Sequence, residues 1–314
     1  MSRYLGRRAL ETVVLLFLVS AIIFAVIRLV PGDPAAMQMG TEATPQGLAR
    51  LRHEMGLDRP IYVQYARWLR DAARGDFGVS WLSKQPALSL IQRRFPATLL
   101  LTVDAALVGV AVAVPLGILG GTRPGSVVDG ITSTFALLGV ALPSFWLGLM
   151  LLLTFAMGLH WFPPSGYVPL SVDAGDALRH VALPAVTLGI GLAAPLARFL
   201  RAGLLDALRQ DYIRTAFAKG VTATRVVLRH ALKNALLSVI TAFALLFGGL
   251  LGGAIITESV FNWPGVGTLL LNAIEQRDYG VVQGVVLYVT VVFVVANFAA
   301  DVVYTLLDPR IRYE

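Results

Sequence analysis

The chain has 314 residues, 56% of them hydrophobic and only 14% charged, with a formal net charge of +7. Soluble domains carry about 25% charged residues, so this balance excludes a pair of ordinary soluble domains and points to a single polytopic membrane domain over 1–314. The chain has no cysteine, which excludes disulfides and thiolate metal sites. Its Lys and Arg surplus fits the inner loops of a membrane protein better than nucleic-acid binding.

A membrane-crossing helix needs about 20 mostly apolar residues. The first candidate is 9–30, preceded by Arg3, Arg7 and Arg8. Its apolar run is longer than that of a signal peptide and no small-x-small cleavage site follows, so 1–30 reads as a retained signal-anchor span. Residues 31–96 then make a long outer segment. "PGDPAAMQMG" carries turn signals. "PIYVQYARWLRDAARGDFGVSW" has helical spacing, with Tyr62, Tyr65, Ala66 and Leu69 on one side. Short helices over the outer face are expected, an interfacial amphipathic helix being the other reading. Five more spans are expected near 97–121, 131–159, 181–204, 236–257 and 281–307, giving an all-α membrane protein of six transmembrane helices.

Charge sets the orientation. With the N-terminus inside, fourteen Lys and Arg fall on the cytoplasmic side, and the two short outer loops hold only Arg179 and Arg277. Both termini are then cytoplasmic. Small residues recur in "FGGLLGGA" (247–254) and "LGIGLA" (188–193), as close helix packing requires.

The familiar catalytic and phosphate-binding motifs are missing. There is no phosphate-cradling G-x-x-x-x-G-K-[ST] loop, no H-E-x-x-H and no G-x-S-x-G, and the four His have no metal-ligand spacing. Asp104 is the carboxylate well inside an expected span. It either lines a polar path or marks a span that starts later. Asp301, with Asn297 one turn earlier on the same face, lines a pore or bonds a neighbouring helix. Glu258 sits where the fifth span leaves the membrane, followed by Phe261 and Trp263 at headgroup level. The stretch there is either a simple interfacial anchor or a re-entrant loop.

The segment 198–233 carries eight Lys or Arg against Asp206 and Asp211. Within it "RTAFAKGVTATRVVLRHALKNA" reads as a helical hairpin broken at Gly220, restarting with Thr222 or Thr224 as N-cap. Ala216 and Ala218 beside Phe217 suggest a compact plug with one aromatic anchor. It docks into a groove on another protein or lies on anionic lipid.

These residues resemble the EAA loop of type I ABC importer permeases, whose motif is E-A-A, three residues, Gly, nine residues, I-x-L-P. Arg214, Thr215 and Ala216 stand at E-A-A, Gly220 at the Gly, and His230, Ala231, Leu232 and Lys233 at I-x-L-P. Glu and Pro are absent, so nothing that depends on that carboxylate carries over. "DYIRTAFAKG" with "RHALKNA" is how the dipeptide/oligopeptide/nickel subfamily writes this loop. "RYLGRRALETVVLLFLVSAIIFAVIRLVPGDPA", "GDFGVSW", "LPSFWLG" (which holds Ser144), "ITESVFNWPGVGTLLLNAI", "RDYGVVQG" and "LLDPRIR" are also similar to that subfamily, in order and over nearly the whole chain.

The resemblance implies a type I ABC importer permease fold, a first-subunit permease of a binding-protein-dependent system in the cytoplasmic (inner) membrane. It implies a five-span core over 97–314 with a coupling loop at 205–235. Partners would be a second permease subunit in a heterodimer, two cytoplasmic ATPases that carry ATP and Mg, and an extracytoplasmic binding protein. The chain itself would bind no cofactor and catalyse nothing. The coupling contacts would come from Arg214, Thr215, Ala216, Phe217, Ala218, Lys219, Gly220, Arg229, His230 and Leu232. Asp104, Ser144, Glu258, Asn297 and Asp301 are candidates for the path or gate. Peptides are the favoured cargo, with nickel, glutathione or another small solute as alternatives. A proton-coupled secondary carrier and a membrane enzyme are the rival classes.

Overall fold

The computed structural model describes residues 2–29, 34–39 and 44–307. Among the described residues the chain is helical, with one isolated bridge between Val79 and Pro86. In chain order the helices are α1 (Ser2–Leu29), α2 (Pro34–Met39), α3 (Pro45–Glu54), α4 (Ile61–Ala73), α5 (Ala87–Thr122), α6 (Val127–Ala141) and α7 (Ser144–Leu151), which continues as a π-helical segment, Leu152–Gly158. Then follow α8 (Ala174–Leu208), α9 (Asp211–Ala218), α10 (Ala223–Arg225), a second π-helical segment, Val226–Ala231, α11 (Leu232–Val260), α12 (Val266–Glu275) and α13 (Tyr279–Leu307).

Among the described residues four helices, α1, α5, α8 and α13, are each long and apolar enough to cross a membrane. Counting each of two bent pairs as one span raises the number to as many as six: Val127–Ala141 with Ser144–Gly158, bent by 106°, and Ala223–Leu236 with Ser238–Leu250, bent by 47° within α11. The expected span at 131–159 is therefore two half-helices. The break falls at Leu142, whose ψ of 128° is extended, directly before Pro143. Proline's ring disfavours helical geometry in the residue before it. By contrast α5 keeps Pro96 and Pro115 inside one continuous helix, and α8 keeps Pro184 and Pro195.

The chain forms two compact units. The larger runs from Pro96 to Thr268 and includes Ala299–Glu314. Its centre is α8, where Leu192, Leu196, Leu200 and Leu204 recur at one-turn spacing, each at most 2% exposed. Gly117 and Gly121 of α5 lie against Leu200 and Leu204, and a methyl group at either would meet those side chains at 2.7 and 2.9 Å. Adding carbon there forces the helices apart, at about 1–3 kcal/mol. Gly253 of "FGGLLGGA" packs on Leu188 in the same way, whereas Gly249 and Gly252 have nothing within 4 Å.

One ion pair ties the start of α6 to α8. The Arg201 guanidinium bonds both oxygens of the buried Asp129 carboxylate, which also accepts the Gly125 N–H at 3.0 Å.

The smaller unit comprises Met1–Phe95 and Leu269–Phe298. Phe24 of α1 lies 5.2 Å from the Tyr65 ring and 5.7 Å from Trp68. Ser20 and the Tyr65 hydroxyl share a 2.8 Å hydrogen bond, and Arg28 donates to Gln64 at 2.8 Å. The packed face of α4 is thus Gln64, Tyr65, Trp68 and Leu69, while Tyr62 and Ala66 are exposed. The sequence expectation put Tyr62 and Ala66 on that face because it followed apolar spacing. Polar groups on α1, Ser20 and Arg28, select Tyr65 and Gln64 instead.

"GDFGVSW" and "RDYGVVQG" are partners in this unit. Asp278 accepts from the Ser80 hydroxyl and, at 3.0 Å, from the Trp81 N–H. Gly280 lies directly under the Val79 carbonyl, where no side chain fits. Tyr288 is edge-on to Phe77 and Phe95 at 6.1 and 5.4 Å.

Candidate functional site

The basic segment folds as a tight hairpin. Helix α9 begins with Asp211, which complements the helix N-terminus. Ile213 and Ala216 turn inward, at 1% and 9% exposure, whereas Arg214, Thr215, Phe217, Ala218 and Lys219 are exposed. The helix ends at Gly220, whose φ of +77° is left-handed. The Gly220 N–H bonds the Phe217 carbonyl at 2.9 Å and the Val221 N–H bonds Ala216 at 3.2 Å. Glycine reaches this conformation without steric cost.

The return limb starts at Thr222, whose carbonyl accepts the Val226 N–H at 2.9 Å. Thr222, not Thr224, holds the cap position, without a side-chain bond. Val226 and Ala231 are fully buried and anchor the limb to the core. Arg229 is exposed, and His230 and Leu232 are half-buried. Asn234 closes the hairpin by donating to the Tyr212 hydroxyl at 2.8 Å. The expected plug changes in one respect. Ala216 is a core residue and only Ala218 stands beside Phe217 on the surface. What remains outside is Phe217 at 47% exposure and Leu228 at 55%, set among Arg214, Lys219, Arg225 and Arg229. The arrangement is a basic, apolar-tipped knob held by buried Ile213, Ala216, Val226 and Ala231.

The remaining candidates occupy different settings. Asp104 lies mid-way along α5, half-buried, and its Oδ2 is buried with no hydrogen-bond partner. Helix α5 runs unbroken from Ala87 to Thr122, so Asp104 lies within a helix longer than one membrane crossing needs. Ser144 is the first residue of α7, at the 106° elbow. Asn297 donates to the Phe293 carbonyl of its own helix at 2.9 Å. The side chain of Asp301 lies outside the described residues.

Glu258 differs from expectation. It is fully buried, as are Phe261 and Trp263, at 2% and 0% exposure. The Trp263 ring stands edge-on to Tyr167 at 5.1 Å, and its indole N–H donates to the Ala97 carbonyl at 2.9 Å. Interfacial anchoring by these aromatics is thereby overturned. The Glu258 carboxylate sits in a donor-rich knot and draws the following turn inward, because it accepts the Thr268 N–H at 3.0 Å.

Two further groups escaped the sequence reading. Asp129 lies in the first turn of α6 and Arg201 lies near the end of α8, and neither belongs to a motif. An acid and a base at the same end of neighbouring spans is the signal that pairs them. Thr98 and Thr268 bind Glu258 but carry no motif of their own. Among the described residues no cluster of three or more His, Asp or Glu is arranged to hold a metal.

A family model described as the binding-protein-dependent transport system inner membrane component matches residues 113–313. A second, for the N-terminal part of such membrane components, matches 1–102. The chain belongs to the binding-protein-dependent transport permease family. The glutathione transport system permease protein GsiC of Escherichia coli (strain K12) is 40% identical over 314 residues, covering all of both chains. The probable peptide ABC transporter permease protein y4tP of Sinorhizobium fredii is 39% identical over 313 residues, again covering both.

Among solved structures, the methionine ABC transporter MetNI in an inward-facing conformation matches with a TM-score of 0.56 at 20% identity, over 70% of this chain and 97% of that one. An amino acid ABC transporter crystallised with histidines matches at 0.50 and 16% identity, over 71% and 94%. The permease is an all-α, multi-pass membrane subunit of an ABC importer with the type I fold. ATP hydrolysis belongs to partner ATPase subunits.

Proposed function

We propose that this permease carries short peptides inward, forms half of a path shared with a second permease subunit, and couples to an ATPase through the α9–α10 hairpin. The hairpin then faces the cytoplasm, as do both termini, in line with the positive-charge bias. A binding protein on the outer side delivers cargo. Two ATPases close on ATP and move the hairpins, which must therefore be stiff.

One observation carries this reading: Phe217 and Leu228 stand exposed on a hairpin otherwise fixed by buried Ile213, Ala216, Val226 and Ala231. Apolar anchors on a rigid helix end suit a groove on another protein. Peptide cargo is supported by two relatives, named for glutathione and for peptide transport. Both names describe short amide-linked solutes with free carboxylates.

The test is co-purification of the neighbouring permease and ATPases with this chain, wild type against Phe217→Asp. The exposed aspartate leaves the hairpin folded and should abolish ATPase retention. ATPase retained equally by the variant would overturn the docking role. Uptake of labelled dipeptide, glutathione and nickel by the reconstituted complex assigns cargo, and uptake of nickel alone would overturn peptides.

A further inference from the structure

The path and the hairpin leave one feature unused. A cleft of about 450 Å³ opens between α6 and α8, lined by Thr132, Ser133, Leu137, Val140, Arg198 and Arg201 among others. Its two walls differ. Leu137 and Val140 are apolar and exposed, at 70% and 63%. Opposite them stand two guanidinium groups. Arg201 is neutralised by Asp129. Arg198 is exposed and has no carboxylate partner among the described residues, and its guanidinium carbon lies 6.0 Å from the centre of the Phe199 ring. The cleft thus carries one uncompensated positive charge beside an apolar wall.

Depth gives that charge a setting. Arg198 lies ten residues before the end of α8, and Ser133 lies six residues after the start of α6. At 1.5 Å per residue these are about 15 and 9 Å from their helix ends. With the orientation proposed above, both belong to the cytoplasmic leaflet near the headgroup boundary. A bare guanidinium facing hydrocarbon is costly, so Arg198 needs an anion at that level. We propose that the α6–α8 cleft binds an anionic phospholipid of the cytoplasmic leaflet. Its phosphate pairs with Arg198, the Ser133 hydroxyl lies beside the headgroup, and an acyl chain runs along Leu137 and Val140. A headgroup with its own cation would offset the phosphate, so phosphatidylglycerol is favoured over phosphatidylcholine.

The intact importer is purified and exchanged into mixed phosphatidylglycerol and phosphatidylcholine nanodiscs, and retained lipid is counted by native mass spectrometry. Wild type should retain phosphatidylglycerol preferentially, and Arg198→Gln should lower that retention roughly fivefold, the weight of one basic residue at an anionic surface. Arg198→Lys keeps the charge and should lose less. Leu137→Glu, on an exposed position that packing does not need, should also expel the lipid. Arg123→Gln removes an exposed charge outside the cleft and should change nothing. Equal retention by Arg198→Gln, or no preference between the two lipids, overturns the proposal. Displacement by inorganic phosphate or a soluble peptide would show a site for a soluble anion, which also overturns it. Lipid retention needs no transport, so an error in cargo leaves this test intact. Labelling of Arg123→Cys in a chain without other cysteines checks the orientation separately.

Discussion

Glu258 of α11 and Thr98 of α5 are 160 residues apart in sequence and 2.6 Å apart in space, joined by a hydrogen bond that the threonine hydroxyl donates. Thr98 Oγ1 in turn accepts the Val266 N–H at 2.8 Å, and the other Glu258 oxygen accepts the Thr268 N–H. Two long helices and the first turn of α12 are thereby tied through one fully buried carboxylate. Glu258→Ala leaves the Thr98 hydroxyl and the Thr268 N–H without an acceptor. Each stranded donor costs about 1–3 kcal/mol. The variant should melt several degrees lower in detergent, and Glu258→Gln should fall between it and wild type. Wild-type melting of the alanine variant would show that the knot does not hold the fold.

Gly220 separates backbone conformation from packing. A methyl group there would meet nothing within 4 Å, yet the backbone is left-handed at φ +77°. Gly220→Ala therefore pays only the conformational penalty, about 1–2 kcal/mol, and ATP-driven uptake should survive. Gly220→Pro cannot reach positive φ and also removes the N–H that bonds Phe217. Uptake should be abolished while membrane insertion is kept. Uptake assays on both variants decide it, and equal activity would show that hairpin geometry does not matter.

The spans and the hairpin were legible because both rest on local signals: long apolar runs, and a glycine between two helical patterns. The elbow at Leu142 was less so, since "ALPSFWLG" is apolar on both sides of Pro143 and hydropathy alone cannot distinguish it from α5, where prolines stay inside the helix. The burial of Trp263 and Phe261 was misread for a different reason. Aromatics near a span end fit an interface by default, and only the distant Ala97 carbonyl and the Tyr167 ring turn Trp263 inward. Likewise "GDFGVSW" and "RDYGVVQG" were visible as family signatures, but that Asp278 clasps Ser80 depends on residues nearly 200 positions apart. Long-range partners of polar side chains leave no periodicity to read.

Asp104 presents the sharpest functional contrast. It lies mid-helix between the exposed Val103 and Leu107, with one oxygen buried and unpartnered. An ionisable side chain at the middle of a membrane helix costs about 2.5–3.5 kcal/mol by insertion scales. That face of α5 should therefore be covered by a partner chain or by the polar path in the assembled importer. Asp104→Leu removes an unsatisfied acceptor, so the isolated chain should be about 1 kcal/mol more stable in thermal melts. Uptake by the complex should nevertheless fall roughly tenfold, equivalent to about 1.4 kcal/mol. Asp104→Asn, which keeps the shape and polarity, should lose less uptake if hydrogen bonding suffices and as much if charge is required. A leucine variant that melts lower would mean the carboxylate has a stabilising partner within the subunit. Higher stability with undiminished uptake would remove Asp104 from the path altogether.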